Sequence, residues 1–163
     1  MFGENGALSS LIVRAFFVKT IKKSQIVPFS AKQMYQLVDN INEYATFLPW
    51  CVKSQEHERD ALSVTATLTI SAQGMEKSFT TKNTLTPFSR IDLSLVDGPF
   101  SRLDGYWQFV DTEEGCKIDF ELNFDIANKM LAMFIGPLFE KVASSMLDAF
   151  CEQAQKSYLT HEN

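Results

Sequence analysis

From Cys116 to Ile126 the chain alternates without a lapse. Cys116, Ile118, Phe120, Leu122, Phe124 and Ile126 are separated by Lys117, Asp119, Glu121, Asn123 and Asp125. In an extended strand successive side chains point to opposite faces, so this segment must lay one face on a core and the other in water. A single strand cannot bury that face alone, and it needs neighbours of the same kind. They are present. Leu62, Val64, Ala66, Leu68 and Ile70 alternate with Ser63, Thr65, Thr67 and Thr69; Ile91, Leu93 and Leu95 alternate with Asp92 and Ser94; and Leu103, Gly105, Trp107 and Phe109 share a face. Gly74, Asp97-Gly98-Pro99 and Glu113-Glu114-Gly115 separate these runs with turn formers. A further strand over 17–27 is ended by Pro28, which has no N–H for a ladder.

Two stretches break the alternation. Ser30, with Gln33 three residues on, forms a capping box for a helix over 31–39 that shows Met34, Leu37 and Val38 on one face. Asn40 is placed to cap a second short helix over 41–47, stopped by Pro49. The last segment, 128–158, is helical: Leu131, Ile135, Leu138, Val142, Met146 and Ala149 recur every three or four residues, and Pro137 should bend the axis. Alternation sets in from Trp50, and the chain returns over 75–85 after Gly74, which brings the count to about seven antiparallel strands. With one apolar face they need a cover, and the long helix is the element able to supply it. The expected class is α+β, a curved seven-stranded sheet around a C-terminal helix. A single domain over 17–158 is expected, preceded by a disordered extension over 1–16 and followed by a tail over 159–163.

The chemistry offered by the side chains is sparse. With 15 Lys and Arg against 20 Asp and Glu, the chain lacks the basic excess of a phosphate-binding DNA partner. Lys19, Lys22 and Lys23 form the one basic cluster, suited to protecting a strand edge or to touching a ribosome or lipid headgroup. Cys51, Cys116 and Cys151 are odd in number and far apart, which speaks against disulfides and zinc and for a reducing compartment. No GxGxxG or GxxxxGK[ST] occurs. His57 lies in a charged strand and His161 near the C-terminus, without a carboxylate partner at metal-site spacing. Asp119, Glu121 and Asp125 fall on the polar face of their strand, and Asp97 and Asp104 read as turn formers. The apolar run Leu11–Val18 follows Glu4 and is interrupted by Arg14, a poor fit to a signal peptide and too short for a membrane span. What stands out is aromatic. With 14 Phe, 2 Trp and 4 Tyr the interior is either solidly aromatic or lines a cavity, with Trp107, Phe109, Phe120 and Phe124 opposite Leu131, Phe134 and Ile135. Met130, Met133 and Met146 suit an adaptable apolar surface or core gap-filling.

Three blocks carry a resemblance. The first is Val27-Pro28-Phe29-Ser30, Met34-Tyr35-x-Leu37-Val38, then Tyr44-x-x-Phe47-Leu48-Pro49-Trp50-Cys51. The second is Leu95-Val96-Asp97-Gly98-Pro99-Phe100-x-x-Leu103-x-Gly105-x-Trp107-x-Phe109. The third is Gly136-Pro137-x-Phe139 with Met146-x-Asp148-Ala149-Phe150. Together they resemble the coenzyme Q-binding/RatA family of the START-like helix-grip superfamily, once labelled oligoketide cyclases, over about 18–158.

The resemblance implies a helix-grip fold around a hydrophobic cavity and a non-enzymatic module that holds a long apolar ligand, ubiquinone first, in support of respiration. Phe47, Leu48, Pro49 and Trp50 match the family's ligand-mouth motif. Phe100, Leu68, Leu93, Trp107, Phe109, Phe120, Phe124, Leu131 and Ile135 are the expected wall, and no metal or other cofactor is implied. Bacterial relatives of the RatA kind imply an alternative: association with the large ribosomal subunit that hinders subunit joining. A polyketide aromatase/cyclase is the third reading. No transit peptide is evident, so a bacterial cytoplasmic protein is expected, without a membrane-spanning segment.

Overall fold

The computed structural model describes residues 18–72 and 74–159, and the extension over 1–16, His161 and the end of the tail lie outside them. The chain runs β1 (Lys19–Val27), α1 (Ala31–Asp39), a 3-10 turn (Ile41–Glu43) continuing into α2 (Tyr44–Phe47), β2 (Cys51–Arg59), β3 (Ser63–Ala72), β4 (Met75–Thr86), β5 (Arg90–Asp97), β6 (Phe100–Thr112), β7 (Gly115–Ile126) and α3 (Lys129–Ala154), closed by a π-helical turn (Gln155–Leu159). All seven strands join one antiparallel sheet in the order β1-β7-β6-β5-β4-β3-β2. Five of the six neighbour pairs are hairpins or short connections. The sixth, β1 with β7, joins the two ends of the strand series, Lys19 opposite Phe124 and Val27 opposite Cys116.

The helix-grip arrangement expected from the sequence is the one observed. In β7 every even residue from Cys116 to Ile126 is buried, and every odd one is exposed or half-buried. Val64, Ala66 and Ile70 of β3 are buried on the same concave side, but Leu62, grouped with them by alternation, is 68% exposed in the turn before the strand. Asp104, read as a turn former, lies instead inside β6 on the outer side, where Arg102 and Asn123 hold it by hydrogen bonds of 2.6 and 3.2 Å. Gly105, its neighbour, is required by backbone proximity. A Cβ there would sit 2.1 Å from the carbonyl oxygen of Glu121 on β7, so no side chain fits between these strands.

The capping box at α1 is complete: the Gln33 N–H donates to Ser30 Oγ and the Ser30 N–H to Gln33 Oε1. Asn40 precedes the 3-10 turn but makes no side-chain cap bond. At α3 the cap is Asn128, whose Oδ1 accepts from the Leu131 N–H at 3.1 Å. The helix runs as one element through Pro137. Its buried stripe is Ile135, Phe139, Val142, Ala143, Leu147, Phe150, Cys151 and Ala154, so Leu138, Met146 and Ala149, placed on the stripe by the sequence, stand half-buried at its margin. Phe134, expected to face the sheet, is 70% exposed, beside Met130 and Met133. By length and apolarity alone α3 could cross a membrane, with a mean hydropathy of 1.3 in its most apolar window. In this fold its buried stripe packs on the sheet instead.

The core is a chain of aromatic contacts. Trp107 lies 4.3 Å from Phe120 between ring centroids and meets Phe150 of α3 edge-on at 5.3 Å. Phe139 of α3 packs against Phe124 at 4.7 Å and Phe100 at 5.0 Å. Trp107, 2% exposed, therefore links sheet to helix. Truncation to Ala should cost about 3–5 kcal/mol, the usual range for a large buried aromatic. Urea unfolding of Trp107→Ala followed by far-UV circular dichroism checks this, and a loss under about 1 kcal/mol would mean that the ring does not bridge the two layers.

Candidate ligand cavity

Between the concave face and α3 the packing is incomplete, leaving a cavity of about 70 Å³. Trp50, Leu68, Leu93, Trp107 and Phe120, all expected in the wall or at the mouth, line it. Eight other expected residues do not, Phe47 and Pro49 of the mouth among them. Leu48, Phe109, Phe124, Phe100 and Ile135 are packed into the core, and Leu131 is half-buried at the start of α3. Phe109 stacks parallel to Trp107 at 6.4 Å and meets Tyr35 edge-on at 5.8 Å, so its ring is spent on packing.

The cavity also has a lining that the sequence did not announce. Ala143 and Phe139 close it from the helix, and Phe79, Thr81 and Asn83 from β4. The signal was available: in β4 a period of two puts Phe79, Thr81, Asn83 and Leu85 on one face. Two polar residues in that set disguise it as an outer face.

The segment Phe47–Trp50 is fixed locally. The Leu48 N–H donates to the Tyr44 carbonyl at 2.9 Å, the Cys51 N–H to the Leu48 carbonyl at 3.0 Å, and the Ser71 N–H to the Trp50 carbonyl at 3.0 Å. Leu48 thereby plugs into the core while Phe47, Pro49 and Trp50 border an outer groove of about 390 Å³, whose far side is α3 from Ser145 to Gln153 with Lys156 of the closing π-helical turn. Trp50 lines both spaces and stands between them.

Electrostatically the cavity is bare. No Asp, Glu, Lys, Arg or His among the described residues lines it. Tyr44 does, but its hydroxyl donates to the Val38 carbonyl, and burial raises its pKa. His57 is on exposed β2, its Nε2 2.6 Å from Thr67 Oγ1. Asp119, Glu121 and Asp125 occupy the outer face of β7 beside Lys117, Lys22 and Ser101. No cluster of three or more His, Cys, Asp or Glu suited to a metal occurs among the described residues.

Comparison with known proteins agrees with this geometry. The family model "Polyketide cyclase / dehydrase and lipid transport" matches residues 27–151. The chain is 39% identical over 139 residues to the ribosome association toxin RatA of Pseudomonas aeruginosa, covering 85% of this chain and 96% of that one. It is 30% identical over 152 residues to a mitochondrial coenzyme Q-binding protein of Schizosaccharomyces pombe, covering 87% and 91%. Among solved structures, a Thermus thermophilus protein superposes with a TM-score of 0.75 at 15% identity over 86% of this chain and 99% of that one. The Zhui aromatase/cyclase of a Streptomyces species superposes with 0.72 at 15%, over 85% and 94%. At such identities these two likenesses concern the fold.

The three thiols are buried and unbridged. Burial pushes Cys116 and Cys151 up from 9.0 to about 11, with nearby Asp111 and Asp148 adding to it. An acid whose folded pKa is raised contributes stability that is complete below its unfolded pKa and lost as pH climbs to the folded one. In reducing buffer the urea midpoint should therefore fall between pH 9 and 11. The Cys116→Ala, Cys151→Ala double variant should show a flatter fall, and an equally steep one would show that these thiols do not cause it.

Proposed function

The chain belongs to the polyketide cyclase/dehydrase and lipid transport family, and from that premise we propose that it holds an isoprenoid lipid, ubiquinone first, between its sheet and α3. One observation carries this: an uncharged cavity between sheet and helix that shares one lining side chain, Trp50, with an open groove. Transfer of each CH₂ from water to such a wall is favourable by about 0.8 kcal/mol, so binding needs area and no reactive group. The coenzyme Q-binding relative supports the choice of ligand.

At about 70 Å³ the space is well below the roughly 300–1,000 Å³ of ordinary ligand pockets. Entry therefore requires Trp50, Phe79 or α3 to move outward, and the closed form is the one described above. We read the protein as non-catalytic. A cyclase would need a general acid or base at the cavity, and the single titratable side chain lining it, Tyr44, is engaged with a backbone carbonyl.

Ala143, 1% exposed, faces the cavity from α3. Ala143→Leu should fill the space and leave a cooperative melt, while ubiquinone no longer quenches tryptophan fluorescence. A folded Ala143→Leu protein with wild-type quinone affinity would show that the ligand does not enter here.

A second reading is favoured by the higher identity to RatA proteins: association with the ribosome, which would require a cytoplasmic setting. Lys19, Lys22 and Lys23 on the sheet edge are the candidate contact; Lys22 pairs with Glu121 at 3.5 Å and is largely exposed. If phosphates are the partner, Lys→Gln at all three positions should weaken co-sedimentation with large subunits and flatten its salt dependence. Unchanged sedimentation of the triple variant would exclude this edge as the contact.

A further inference from the structure

We propose that Asn83 selects the ligand, its side-chain amide donating a hydrogen bond to an uncharged acceptor oxygen, a ketone or quinone carbonyl, at the head of an otherwise apolar molecule. The assignment rests on the cavity being the lipid site, and adds to it the chemical class of the headgroup.

Asn83 is the one buried polar or charged residue among those described, 6% exposed. It stands on β4 between Val64 of β3 and Leu93 of β5, an environment that suits an aliphatic side chain. Burying an amide among such neighbours is unfavourable unless its hydrogen bonds are made. Half of them are. Thr81 Oγ1 donates to Asn83 Oδ1 at 3.0 Å, from the next inward position on the same strand. That bond occupies the acceptor and fixes the amide plane, turning the nitrogen and its two protons away from Thr81. The nitrogen makes no hydrogen bond to another described residue, yet no fully buried side-chain nitrogen or oxygen lacks a partner; it is therefore open to the cavity that Asn83 lines.

The ligand class follows from what surrounds this donor. Apart from Thr81, Asn83 and the indole N–H groups of Trp50 and Trp107, further donors but no acceptors, the lining is apolar, with the Tyr44 hydroxyl already engaged. A carboxylate or phosphate drawn inside would lose its water and find no counter-charge. A pure hydrocarbon would leave the amide unpaired, so the site disfavours it as well. A neutral carbonyl accepts the amide proton and carries no charge to desolvate. Thr81 is the positioning residue and Asn83 the contact.

The experiment compares decylubiquinone with decylbenzene, a ring with the same tail and no oxygen, by the ligand-dependent rise in melting temperature of the full chain. Wild type should prefer decylubiquinone. Asn83→Leu should lower its affinity for the quinone roughly tenfold, about the worth of one buried hydrogen bond, leave decylbenzene binding unchanged or tighter, and so abolish the preference. Thr81→Val should lose part of it. If leucine is not accommodated, Asn83→Ala carries the same comparison. Equal affinity of wild type for both probes would overturn the role of Asn83 and leave the lipid site standing, as would a folded Asn83 variant with unaltered quinone preference. Failure of wild type to bind either probe would remove both proposals.

Discussion

Everything in this molecule depends on one helix covering one face of one sheet. The concave side gathers inward residues from the central strands, and α3 is the long element laid across it, with α1 and α2 contributing at the margin. Phe139 and Phe150 mark the two places where the contact is tightest, the first on Phe100 and Phe124, the second on Trp107. Between them lies the cavity, bordered on the helix side by Phe139, Val142, Ala143 and Met146. Ala143, the smallest of these, leaves room between the two ring contacts.

Most of the strands were legible in the sequence because they alternate and have one wet face; β2 and β4, polar along much of their length, were the exceptions. β7, with no exception in six inward positions, could hardly be anything else. The helix was legible as a helix but its orientation was not. Its sequence is apolar on more than one side, so the spacing that selects Leu131, Leu138 and Met146 fits nearly as well as the one that selects Phe139, Ala143 and Leu147. Contact with the sheet decided between them, and a rotation of one residue put Phe134 into water. The site suffered from the same ambiguity in reverse. Thr81 and Asn83, being polar, do not stand out in the sequence, although their register with Phe79 and Leu85 puts them on the inner face. Local chemistry and strand period disagreed, and the period was right.

On the proposed reading, a polar pair on an apolar wall and a side chain shared by cavity and groove would let the site discriminate by hydrogen bonding and admit by movement. Binding would replace cavity surface and an unpaired donor with ligand, and the closed state stores both costs until then. The outer groove, with Asp148, Glu152 and Lys156 along its helical side, meets water readily, whereas the inner space does not. The two compartments differ in polarity as the two ends of an amphiphile do.

The order of the elements along the chain also governs how the protein is made. β1 leaves the ribosome first but pairs with β7, about a hundred residues later, and α3 comes last of all. At about 5–20 residues per second, β1 spends on the order of seconds as a strand with neither edge bonded, and the concave apolar face then waits for the helix to be synthesised. Exposed lysines at Lys19, Lys22 and Lys23 place like charges on that orphan strand during the interval when it could pair with another nascent copy. The sheet's most distant pairing in sequence must therefore wait for nearly the whole chain, and like charges along β1 count against its pairing with another copy in the meantime.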